Sequence, residues 1–183
     1  MKLDLVLDEV QLPWRPTPEW VARVESLLSS VASSAVVLQV VLTDDDTLRE
    51  HNREYRGLDR ATDVLSFSYL DEGHEERAEE LRRGEIPIED YLEEPVPDGE
   101  PPLAGQVLVS VETVVGRGAR HTGDLDAEIA FMLAHGVLHV LGHDHHDEAG
   151  GASMRAAERE LMETAGFALA GNRPSEETGG ARS

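Results

Sequence analysis

Leu3, Leu5 and Leu7 recur at every second position, with Lys2, Asp4 and Asp8 among the positions between and beside them, which is the period of a strand with one face buried. Thr17 and Pro18 then supply an N-cap and a first helical position. Trp20, Val21, Val24, Leu27, Leu28 and Val31 follow at helical spacing, so a helix should open there. The run VVLQVVL (36–42) is apolar but for Gln39 and rich in β-branched residues, the mark of a buried strand. Thr43 and Asp46 have capping-box spacing, with Asp in place of the usual Glu or Gln, and predict a helix reaching about Tyr55. TDVLSFSYL (62–70) reads as a third strand.

The pattern then breaks. From Asp71 to Pro102 the chain is acidic, carries five prolines and shows only a short helical patch around Glu75 to Arg82. This segment is expected to be an acidic surface insertion, partly mobile, rather than a second domain. LAGQVLVSV (103–111) resumes as a strand, and a helix around Val111 to His121 should follow, weakened by Gly116 and Gly118. Asp124 or Asp126 can cap the next helix, which runs through AEIAFMLAHGVLHVL to Gly142, and a last helix should start near Ser153. These elements predict an α+β fold in a single domain over 1–169: a small mixed β-sheet with helices packed on it, then a disordered tail over 170–183.

Charge changes the picture. Sixteen basic residues stand against thirty-seven acidic ones, for a formal net charge of −21. That balance argues against broad adhesion to nucleic acid or anionic membrane. It also suits molar salt, where the Debye length is only about 3 Å and self-repulsion is screened. Without cysteine there are no disulfides and no thiolate metal sites. The N-terminus has no continuous apolar core of a signal peptide, and VVLQVVL is too short to span a bilayer. A cytoplasmic location is expected, with no membrane partner.

Candidate chemistry gathers in HGVLHVLGHDHH (135–146), which holds five of the eight histidines. His135 and His139 are four apart on a predicted helix and project from one face. Gly142 falls where the helix should end, so the chain can turn and bring His145 back toward the pair. Three imidazoles at this spacing suit one Zn2+ at the C-terminal end of a core helix, with the fourth position left for water. Such a zinc lowers the pKa of water to about 7. His143 and His146 are expected on the solvent side of the turn, either being able to replace His145 as third ligand; Asp144 is expected to orient an imidazole. Zinc peptidases place a glutamate directly after the first histidine, where this chain has Gly136. That counts against peptide hydrolysis and does not forbid a reaction such as phosphodiester cleavage, in which an arginine can stabilise developing charge.

The arginine stretch LREHNREYRGLDRATDVLSF (48–67) carries Arg49, Arg53, Arg56 and Arg60 at helical spacing. Arg49 and Arg60 read as parts of a solvated face, with Asp45 and Arg49 as a weak i,i+4 pair. Arg56, where helix gives way to the Gly57 turn, is the functional candidate.

HGVLHVLGHDH resembles the H-G-x-L-H-L-x-G-x-D-H signature of the YbeY family, the rRNA maturation factors. NREYRGLDRATDVLSF is similar to its N-x-x-[YF]-R-x-x-x-x-P-T-D-V-L-S-F segment, and MRAAERELMETAGF to its C-terminal helix. The resemblance covers about residues 36 to 70 and 103 to 167. It implies a zinc-dependent, single-strand-specific endoribonuclease for rRNA, acting at the 3′ end of the small-subunit rRNA and in ribosome quality control. It thus implies single-stranded rRNA and the ribosome or its small subunit as partners. By position, His135, His139 and His145 match the zinc ligands, and Arg56 the arginine that engages the phosphate. The chain departs from the pattern at His143, usually tyrosine, at Gln106, usually aspartate, and at Ala61, usually proline. Its insertion over 71–102 is longer than usual; with thirteen acids and three arginines it holds −10 of the charge and should repel RNA unless screened or folded away. A zinc peptidase or other small hydrolase, and a non-catalytic ribosome-assembly factor, are the competing expectations.

Overall fold

The computed structural model describes residues 1–8, 10–31, 36–71, 73–92, 101–144 and 148–170. Four strands form one sheet in the order β1-β2-β4-β3. Strands β1 (Lys2–Leu7), β2 (Val37–Thr43) and β4 (Leu103–Ser110) are parallel, and β3 (Val64–Ser68) closes one edge antiparallel to β4. Helices α1 (Pro18–Ser29), α2 (Asp45–Arg56), α3 (Ala78–Arg82), α4 (Val111–Arg117), α5 (Leu125–Val140) and α6 (Glu148–Thr164) complete the single-domain α+β fold. No helix among the described residues is long and apolar enough to cross a membrane.

Most elements form where the sequence pattern puts them. Thr17 caps α1 by accepting from the Trp20 N–H at 3.1 Å, and Asp124, not Asp126, caps α5 by accepting from Ala127 N–H at 3.0 Å. The expected Thr43 box does not form. β2 runs one residue further because Thr43 still pairs with Ser110, and its hydroxyl donates to Asp8 at 2.5 Å. Asp44 takes over the cap, accepting from Thr47 N–H at 2.9 Å. Helix α4 stops at Arg117, where Gly118 adopts φ 72°, and α6 opens at Glu148, earlier than Ser153, with Gly151 buried in its first turns.

Helix α5 is the element that matters for chemistry, and two close approaches seat it on the sheet. A Cβ at Gly136 would lie 2.5 Å from Val107 Cγ1, and one at Gly105 of β4 would lie 2.6 Å from Val140 Cγ1. Glycine at both places lets helix and sheet backbones approach as they do. From Ala127 to Leu141 only Phe131, His135 and His139 are not fully buried. The open face of α5 is therefore this single line, spaced four residues apart.

The segment expected as a surface insertion contributes to the interior over its described part. His74, Leu81, Arg82 and Ile88 are all buried, and Leu70 bridges to Leu92. Arg82 donates to both carboxylate oxygens of Glu79 and reaches Glu160 at 3.1 Å, tying α3 to α6. Arg77 pairs with Glu80 and Arg83 with Glu79 within the same segment. Residues 93–100, and the expected tail from 171 on, lie outside the described residues.

Candidate metal centre

The end of α5 is built to turn sharply. Gly142 adopts φ 91°; its N–H donates to the His139 carbonyl and the His143 N–H to the Leu138 carbonyl, the paired bonds of a Schellman cap. A side chain at 142 would also collide with Glu75, whose Cα would lie 2.6 Å from its Cβ. Ser68 at the end of β3 donates to the Val140 carbonyl at 2.8 Å. The last turn is thus held from the sheet side, from the insertion and by its own cap.

On that helix the His135 and His139 Nε2 atoms face each other at 3.2 Å. Two nitrogens at 2.0–2.1 Å from one tetrahedral zinc stand about 3.3 Å apart, so the pair already has the spacing of two ligands. The other nitrogen of His135, Nδ1, lies 2.8 Å from Glu158 Oε1 on α6, a carboxylate that is almost fully buried. With Nδ1–H donating there, the His135 lone pair is on Nε2, aimed at His139. The donor set therefore fits a divalent metal of the zinc type. Among the described residues no group of three His, Cys, Asp or Glu side chains forms a complete site; His145 and His146 lie outside them.

His139 opens into a cleft of about 530 Å³ that is also lined by Arg56, Ser66, Ser68, His74, His143 and Asp144. Arg56 is the last residue of α2, placed there by Gly57 in the left-handed conformation, and no carboxylate pairs with it among the described residues. Arg49 and Arg53 of the same stretch differ, Arg53 lying 3.8 Å from Glu50. Arg49 makes a bidentate pair with Asp59 rather than the expected pair with Asp45, because the loop after α2 folds back along the helix. Asp45 instead accepts from the Ser110 and Thr113 hydroxyls.

His143 is not on the solvent side of the turn. It is buried, its Nε2 has no hydrogen-bond partner among the described residues, and Glu79 Oε2 lies 3.7 Å away. Burial pushes its imidazole below the ordinary histidine range, and the neighbouring Glu79 opposes that shift. The cause is α3, which covers the turn from a segment expected to stay at the surface. Asp144 is exposed at the rim of the cleft.

The family model described as Endoribonuclease YbeY matches residues 9–166. The chain belongs to the YbeY family. The Endoribonuclease YbeY of Moorella thermoacetica is 36% identical over 137 residues, covering 75% of this chain and 77% of that protein. That of Rhodospirillum rubrum is 34% identical over 179 residues, covering 90% and 79%. The solution structure of TM1509 from Thermotoga maritima superposes with a TM-score of 0.52 at 18% identity over 89% of this chain and 88% of that one, which shows a shared fold.

Within the YbeY family framework, Glu158 is the residue that sequence reasoning missed. It stands 23 positions after His135, and only the packing of α6 on α5 brings the two together. A carboxylate behind a metal-binding imidazole fixes its tautomer and raises its basicity. Glu158→Gln is expected to lower zinc affinity by about 10- to 100-fold with the fold intact, as measured by competition with a chromogenic chelator. Unchanged affinity would remove Glu158 from the site.

Proposed function

We propose that this chain is a metal-dependent endoribonuclease that cuts single-stranded segments of rRNA in the cytoplasm, acting in maturation of the small-subunit rRNA 3′ end and in ribosome quality control. Family membership supports the endoribonuclease activity. The observation that carries the mechanism is the convergence of the His135 and His139 Nε2 atoms at 3.2 Å beside a cleft lined by Arg56, which has no carboxylate partner among the described residues.

In this reading His135, His139 and His145 hold one Zn2+. When bound, zinc supplies Lewis-acid chemistry that makes water nucleophilic near neutral pH. Glu158 keeps the His135 ring in one tautomer and orientation. Arg56 presents its guanidinium fork to the scissile phosphate, where two parallel N–H donors match two phosphate oxygens. Asp144 orients a ligand from the rim. The competing peptidase reading needs a carboxylate base at position 136, but that position faces Val107 and Val64 of the sheet, away from the cleft.

The ion pairs within the insertion leave its net charge of −10 unchanged, so RNA binds against that repulsion. Binding then rests on local contacts more than on counterion release. The test is cleavage of labelled single-stranded rRNA fragments by the zinc-loaded protein, with the same sequence in duplex as control. Defined cuts in the single strand are expected, with Arg56→Ala slower by about 10²- to 10³-fold, the cost of losing one charge-stabilising donor. Absence of cutting with zinc confirmed in the protein would move the reading to the assembly factor.

A further inference from the structure

The line of open positions on α5 continues beyond the histidine pair. Phe131, one turn before His135, carries the His121 imidazole stacked on its ring, with centroids 4.7 Å apart and planes 22° from parallel. His121 belongs to the loop between α4 and α5, and a buried carboxylate holds it there. Glu128 accepts from the His121 and Thr122 backbone N–H groups, each at 3.0 Å, and its Oε1 lies 2.6 Å from His121 Nδ1. Glu128 itself is 3% exposed, whereas the His121 side chain is 52% exposed.

The loop also frames a second cavity of about 140 Å³, lined by Asp63, Arg117, Arg120, His121, Glu128 and Met132. At roughly 30 Å³ per water this is room for a sugar or a single base. Arg117 is engaged by Asp63. Arg120 donates through Nε to the Arg117 carbonyl and has no carboxylate partner among the described residues, so its terminal nitrogens remain available. From Phe131 to His139 is about 12 Å along the helix axis, the reach of about three to four stacked nucleotides. Both cavities border the same seam of α5 and the β3 edge, Asp63 at one end and Ser66 and Ser68 at the other.

We propose that His121 and Arg120 form a ribose-phosphate subsite in which His121 Nε2 accepts a hydrogen bond from a substrate 2′-hydroxyl. The proposal rests on the endoribonuclease reading for the nature of the ligand. Because Nδ1–H donates to Glu128, the neutral ring presents a lone pair at Nε2, an acceptor and not a donor. A ribose hydroxyl can satisfy it and a deoxyribose cannot, which is how a protein distinguishes RNA from DNA at one position. Arg120 beside it takes the adjoining phosphate, a contact without such discrimination.

The experiment is a scan of single 2′-deoxy substitutions along a fluorescent single-stranded RNA, read by anisotropy with the full chain in chelator, so that no cutting is required. One position should weaken binding by about tenfold. That penalty should vanish in His121→Asn, whose amide N–H takes the place of Nδ1 toward Glu128, and in His121→Phe, which keeps the ring stack. Arg120→Ala should weaken RNA and DNA binding alike and keep the sensitive position. Melting curves of the two His121 variants establish that they are folded. Equal tolerance at every position in the unsubstituted protein, a penalty that survives both His121 variants, or no RNA binding at all would overturn the proposal. A positive scan with no cleavage in zinc would leave the subsite standing and overturn the nuclease reading alone.

Discussion

His139→Ala is expected to abolish cleavage of single-stranded RNA, a loss of at least about 10³-fold, more than removal of one hydrogen-bond donor from an active site costs. The substitution deletes one of two nitrogens that already stand 3.2 Å apart, and leaves His135, held by Glu158, with only His145 of the proposed ligand set. Zinc content should fall with the activity. The fold should survive, because His139 is only partly buried and the last turn of α5 is secured by the Gly142 cap and by Ser68. Retained cleavage with zinc lost would separate the metal from the chemistry. Melting temperature and zinc content measured on the same sample distinguish a folded, metal-free protein from an unfolded one.

Gly136→Glu would complete a H-E-x-x-H motif, yet it is expected to destabilise the protein rather than create a peptidase. The new Cβ would meet Val107 Cγ1 at 2.5 Å and Val64 Cγ2 at 3.3 Å, both on strands that α5 packs against. Overpacking a core typically costs about 1–3 kcal/mol, and a carboxylate forced into an apolar seam adds several more. The better helix propensity of Glu returns less than about 1 kcal/mol. A net loss of about 4 kcal/mol should lower the melting temperature by roughly 10 °C in a domain of this size. A variant that melts like the parent and cleaves peptides would show that position 136 faces the cleft.

The same seam explains why so much was legible in the sequence. His135, His139 and Gly142 are local: helical periodicity fixes the shared face of the first two, and a left-handed glycine is the ordinary way to end a helix. Arg56 before Gly57 was legible for the same reason. What could not be read depends on which elements become neighbours. Glu158 reaches His135 only because α6 lies on α5, and Glu128 reaches His121 only through the fold of the loop before it. Arg49 found Asp59 instead of Asp45 because a loop competes with the helix for its guanidinium, and an i,i+4 pair is too weak to prevent it. The burial of His143 follows from α3, in a segment whose charge and prolines mask the apolar anchors Leu81 and Ile88.

One measurement tests the central claim that the histidine pair is a metal-dependent RNA-cleaving centre. The purified protein is stripped of metal with a chelator, assayed on labelled single-stranded rRNA fragments, then reloaded with one equivalent of zinc and assayed again. The account predicts that cleavage disappears with the metal and returns with it, while His139→Ala stays inactive throughout. Undiminished cleavage by the metal-free protein would contradict it.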